Sequence, residues 1–169
     1  YVQTTSNLRV SAGADIQELS YEGKTVGDIG LEGTWLPDEG NRHLLGGKFK
    51  VNGQEVLAVG GIMGEKNGRD TLAVAARMKR FPLAVANAFV PDDMITLRGY
   101  LNSEISLRGS LDKPELQGQL SLDTTSVYIR QAGARYWFDT RPVKIEDNQL
   151  VFDRFSIYTT SDNPFTING

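Results

Sequence analysis

The sequence predicts a mostly β protein: one antiparallel sheet, strongly curved or folded into an open, trough-like groove, with one short helix near residues 82–90. Three features predict it: apolar and polar residues alternate through most of the chain, turn dipeptides punctuate the alternating runs, and only one segment has helical composition. A period of two places successive side chains on opposite faces of a strand, whereas a helix would scatter the same charges around its circumference.

The alternation begins with Leu8, Val10, Ala12, Ala14 and Ile16 and resumes with Ile29, Leu31, Gly33 and Trp35, before Pro37-Asp38-Glu39-Gly40 turns the chain. Asn52-Gly53 and Asn67-Gly68 are hairpin signals, because both residues tolerate the positive φ of a two-residue turn. Counting outward from Asn67-Gly68 sets Lys66 against Arg69, Met63 against Leu72, Gly61 against Val74, Val59 against Ala76 and Leu57 against Met78. Beyond the first pair every residue is apolar or glycine, and all share one face. The same count sets Lys50 against Glu55 and Phe49 against Val56, and around Asp147-Asn148 sets Ile145 against Leu150 and Val143 against Phe152.

Phe81 to Val90 has an early proline, alanine-rich filling and a stop at Pro91, which predicts a helix of about two to three turns. One such helix cannot cover a sheet of roughly ten strands. The apolar faces must therefore cover each other, fold around on themselves, or be covered by something else.

From Ile95 to Leu111 the odd positions read Ile95, Leu97, Gly99, Leu101, Ser103, Ile105, Leu107, Gly109 and Leu111, against Thr96, Arg98, Asn102, Glu104, Ser106 and Arg108 on even ones. After Lys113-Pro114, Leu116, Gly118, Leu120 and Leu122 continue the apolar side. An unbroken strand of that first length would span about 55 Å against a usual 20 Å or so, so the sheet must curve, with Gly99 and Gly109 the natural bends. Glycine within a strand marks a bend, a bulge or a close approach. Gly99, Gly109 and Gly118 are thus either floor space beneath a ligand or packing room between two sheets.

The 169 residues suit one domain, and 40% apolar with 23% charged residues is a globular composition. A net charge of −3 without a long basic run argues against nucleic acid. The absence of cysteine removes disulfides and thiolate chemistry. The chain opens at Tyr1 and stops just after an alternating piece, so residues 1–169 read as a single β-rich module excised from a longer repetitive protein.

Candidates for chemistry are sparse. His43 is the sole histidine and reads as a surface residue, so no histidine triad or metal site is expected. Asp92-Asp93 follow Pro91 in a loop, and the glycine-rich run from Gly60 to Gly68 lacks the ending of a phosphate loop. Tyr136-Trp137-Phe138 beside Arg135 could stack on a sugar, but in a strand Tyr136 and Phe138 share one face and favour core anchoring. The expectation is a non-enzymatic protein without cofactor or metal.

The second half resembles a known pattern. Arg80-Phe81-Pro82-Leu83 opening a short helix, Leu97-Arg98-Gly99, Leu107-Arg108-Gly109-Ser110-Leu111, Lys113-Pro114-Glu115-Leu116-Gln117-Gly118 and the closing stretch from Val143 to Gly169 resemble the C-terminal region of TamB-like proteins, of the AsmA-like envelope group of Gram-negative bacteria. The resemblance covers roughly residues 70 to 169. It implies an apolar-lined trough in the periplasmic part of an inner-membrane-anchored protein, which bridges phospholipid to the outer membrane or helps assemble outer-membrane proteins. The implied partners are phospholipid acyl chains and an Omp85-type outer-membrane barrel.

On this reading the groove is lined by Leu97, Leu101, Ile105, Leu107, Leu111, Leu116, Leu120 and Leu122, with Val143 and Ile145 beside them, and is bent at Gly99, Gly109 and Gly118. Ten strands at about 4.8 Å would give a trough near 45 Å long. The alternative is a closed structural β-sandwich of a large surface or envelope protein, filled by its own core and without lipid.

Overall fold

The computed structural model describes residues 9–21, 23–38, 40–66, 69–91, 94–159 and 164–169. Among the described residues twelve strands form one antiparallel sheet that stays open. They are β1 (Val10–Tyr21), β2 (Lys24–Pro37), β3 (Arg42–Val51), β4 (Gln54–Lys66), β5 (Arg69–Pro82), β6 (Ile95–Ser110), β7 (Pro114–Ile129), β8 (Ala134–Phe138), β9 (Val143–Glu146), β10 (Gln149–Val151), β11 (Phe155–Tyr158) and β12 (Phe165–Ile167). From β1 to β8 each strand pairs with the next in sequence, and β11 and β12 continue the path. β9 borders β7 along Gly118 to Leu120, β8 borders it along Ser126 to Ile129, and β10 pairs with β9. The outer edge of β1 has no strand beside it among the described residues.

The β4–β5 register pairs Lys66 with Arg69, Met63 with Leu72, Gly61 with Val74, Val59 with Ala76 and Leu57 with Met78. The turn residues Asn67-Gly68 themselves lie outside the described residues, as do Leu8, Glu39 and Asp92-Asp93. Asn52 (φ 51°) and Gly53 (φ 80°) make the β3–β4 turn, and Lys50 faces Glu55. Phe49 then faces Leu57 and not Val56, because a bulge between Phe49 and Lys50 shifts the register by one residue. Ile145 pairs with Leu150 around Asp147-Asn148. Phe152 does not reach Val143: its backbone instead exchanges two hydrogen bonds with Gly169, at 2.7 and 2.9 Å.

The predicted helix is shorter than its segment. Phe81 and Pro82 complete β5, with Pro82 extended (φ −73°, ψ 115°), and only Leu83–Ala88 coil, as a 3₁₀ helix. Asn87 anchors it by donating to the Leu97 carbonyl and accepting from the Leu97 N–H, both at 2.7 Å.

Bulges bend the long strands. The register shifts between Ile16 and Leu19, between Met78 and Phe81, and opposite Gly99, with Glu18 (φ 49°), Arg80 (φ 48°) and Thr124 (φ 48°) in the left-handed region. Two of the three draw support from the next strand: the Asp28 carboxylate accepts from Glu18 N–H at 2.8 Å, and the Asn102 side chain from Arg80 N–H at 2.9 Å. A bulge inserts an extra residue, increases twist and turns the strand. The one at Thr124-Thr125 also swaps the faces of β7, so Val127 and Ile129 join the apolar side that Leu116 to Leu122 occupy on even positions.

A closed sandwich is overturned by this topology, since there is no second layer among the described strands. Only seven described hydrophobic residues are buried, in small clusters rather than along the sheet. Ile29, Val51 and Val56 meet Leu19, Val26, Phe49, Phe81 and Val85 under the 3₁₀ helix. Val143, Ile145 and Phe155 are buried in the C-terminal part, where the Phe155 ring packs against Phe152 (5.7 Å) and Phe138 (6.5 Å). The chain exposes 11745 Å². A compact protein of 18.6 kDa exposes roughly 8200 Å².

Candidate apolar groove

Cross-strand register assembles one apolar face from the alternation of eight strands. One row reads Val10, Trp35, Leu45, Gly61, Val74, Leu107 and Leu116 from β1 to β7. The next reads Ala12, Gly33, Gly47, Val59, Ala76, Ile105, Gly118 and, on β9, Ile145. A third reads Ala14, Leu31, Phe49, Leu57, Met78, Ser103, Leu120 and Val143. Seven spacings of about 4.8 Å make this a lane roughly 34 Å across, comparable to the hydrocarbon thickness of a bilayer. Most of its side chains are half-buried, and Val10 (47%) and Leu31 (43%) are exposed.

Leu97, Leu101, Ile105 and Leu107 occupy this face of β6, and Leu116, Leu120 and Leu122 face them from β7, with Leu101 opposite Leu122 and Leu107 opposite Leu116. Leu111 falls just beyond β6, where its N–H donates to the Asp70 carbonyl and its side chain is 47% exposed. Val143 and Ile145 lie in the same rows but are buried at 3% and 5%, so they belong to the core of the C-terminal part rather than to an open lining.

The glycines have a local cause. A Cβ on Gly118 would collide with the Glu104 carbonyl and Ile105 Cα of β6, and one on Gly99 with Thr124 and Thr125 of β7. Gly109 would bring a Cβ to 3.2 Å from the Lys113 carbonyl. What approaches these positions is neighbouring backbone within the one sheet. Neither room for a ligand nor a second sheet explains them.

Sequence reasoning placed the groove on β6, β7 and β9, yet the clearest hollow on the apolar face lies at the other side, over Gly33 and Gly47. It holds about 400 Å³ between Val10, Trp35, Leu45 and Val59. The signal was present in the alternation of Leu31, Gly33 and Trp35, but the bulge between Phe49 and Lys50 shifts the count from Asn52-Gly53 by one residue and so hides the register that unites it with Leu45 and Val59. His43 extends this region: its ring stacks on Trp35 at 5.4 Å, and its enclosed Nδ1 has no hydrogen-bond partner. It is half-buried on the sheet, not a free surface residue as the sequence suggests.

The opposite face is polar and carries cross-strand ion pairs, among them Arg77–Glu104 (3.2 Å), Lys50–Glu32 (3.4 Å) and Arg80–Asp123 (2.9 Å). Larger hollows of about 490 and 670 Å³ open near Arg77, Glu104 and Gln117 or Gln119. Charged walls make them poor containers for hydrocarbon. Tyr136 and Phe138 point to the side opposite Trp137, and Phe138 packs on Phe155 as core. No protein-family model, curated protein or solved structure matches the chain.

Proposed function

We propose that the chain is a lipid-handling module: its apolar face shelters phospholipid acyl chains from water. The observation that supports this most is the single sheet, one face of which carries rows of Leu, Ile, Val, Trp and Phe interspersed with Ala and Gly and interrupted by one polar residue, Ser103, while the other face carries the charges. A sixteen-carbon tail in water is unfavourable by on the order of 10 kcal/mol, and a continuous greasy lane removes that cost along its length. The resemblance of residues 70 to 169 to TamB-like envelope proteins supports the same reading and adds a periplasmic setting, with transport between membranes as the larger task. A role in assembling outer-membrane proteins with an Omp85-type barrel is the second reading, favoured by the edge of β1, which has no strand beside it among the described residues.

The test is purification from bacterial membranes in mild detergent, followed by mass spectrometry of co-purifying lipid. Phospholipid should accompany the parent chain and Arg108→Asp, and should be lost from Leu107→Asp and Leu120→Asp. Lipid-free parent protein, or equal lipid on all four proteins, would refute the groove.

A further inference from the structure

The polar face has a second constellation at the end of β6, β7, β8 and β11. Register sets Arg98 opposite Ser126, Ser126 opposite Trp137, and Trp137 opposite Tyr158, while Arg135 sits opposite Tyr128 in the adjoining row. The Arg135 guanidinium lies 5.7 Å from the Tyr128 ring centre and 6.0 Å from that of Trp137, and its Nη1 donates to Ser126 Oγ at 2.9 Å. Ser126 is completely enclosed, so this bond fixes Arg135 and leaves most of its five donors free.

Ser126 is thus bonded by the Arg135 guanidinium on one side and paired in register with Arg98 on the other. Neither Arg98 nor Arg135 has a carboxylate partner among the described residues. The nearby acids are engaged elsewhere: Asp123 with Arg80 at 2.9 Å, Glu104 with Arg77 at 3.2 Å, and Asp139 with Arg141 and the Ser156 N–H. Elsewhere on this face Lys50, Arg77 and Arg80 meet carboxylates, whereas Arg108 and Lys144 have no carboxylate partner among the described residues. Here a half-buried, aromatic-flanked arginine is held rigid beside a second one with nothing negative to meet, which leaves the fork of donors available to an oxyanion.

We propose that this corner is an oxyanion site that takes a phosphate group between Arg98 and Arg135, with Trp137 and Tyr158 as its walls. It lies on the face opposite the acyl lane and does not depend on it. The phosphate belongs either to a phospholipid headgroup or to a soluble phosphate ester.

The Trp35→Phe variant leaves Trp137 as the sole tryptophan, because the chain has two. Inorganic phosphate should shift its emission saturably, and chloride at equal ionic strength should not. Arg98→Ala and Arg135→Gln should each weaken binding about tenfold, and Arg77→Gln should leave it unchanged. Phosphatidylglycerol vesicles that bind at lower phosphate concentration than the free ion assign the site to headgroups; a response to the free ion alone assigns it to soluble esters. No saturable response to either, or an Arg98→Ala titration matching the parent, overturns the proposal. Arg98 is exposed, so that variant keeps the test decisive even if Arg135→Gln fails to fold.

Discussion

The end of the sheet beneath the 3₁₀ helix and the middle of the sheet are built from the same alternating strands, yet one is closed and the other open. Under the helix, Ile29, Val51 and Val56 are buried at 4% to 7%. A few residues along the same strands, Leu31 and Met63 remain 43% and 37% exposed. Six residues of coil contribute to the difference, since Val85 of the 3₁₀ helix packs on this cluster together with Leu19, Val26, Phe49 and Phe81. Alternation therefore creates an apolar face without deciding whether the chain covers it, and the cover must be accounted for separately.

The comparison can be broken most sharply at the closed end. Val56→Ala removes two buried methyl groups and should lower unfolding free energy by about 2 kcal/mol, read as a lower urea midpoint at unchanged slope. Asn87→Ala unpairs the Leu97 N–H and carbonyl and should cost about 1–2 kcal/mol, with earlier hydrogen exchange at Leu97 as the specific sign. Leu107→Ala on the open face should cost under about 1 kcal/mol in lipid-free protein, because its side chain is already partly in water. If Leu107→Ala instead matches Val56→Ala in urea titrations, the middle of the sheet is as sealed as the end.

Where turns dictate pairing, the sequence was sufficient. Lys66 against Arg69 propagates to Leu57 against Met78 without a slip, since no bulge interrupts β4 and β5 until Lys79 and Arg80. The Phe49–Val56 pairing failed for the opposite reason, a bulge at a site without glycine. Glu18, Arg80 and Thr124 take left-handed backbone that their side chains disfavour. For Glu18 and Arg80 the hydrogen bonds that stabilise it come from strands 10 and 22 residues away. Short-range patterns cannot carry that information. The leucine face of β6 and β7 was legible for the same reason as the hairpins, whereas the Trp35 hollow and the Arg98–Arg135 corner required register across several strands. The glycines were visible as anomalies, but the identity of what approaches them was not.

From β1 to β6 each strand is hydrogen-bonded in the sheet only to its neighbours in sequence, so the sheet is close to a one-dimensional stack. Strands can then be gained or lost in pairs: removing a hairpin such as β3–β4 would bring β2 beside β5 with direction and facing preserved, whereas removing one strand would reverse every strand after it. Duplication by hairpins is thus a route by which such a molecule can change its reach without redesigning its cross-section.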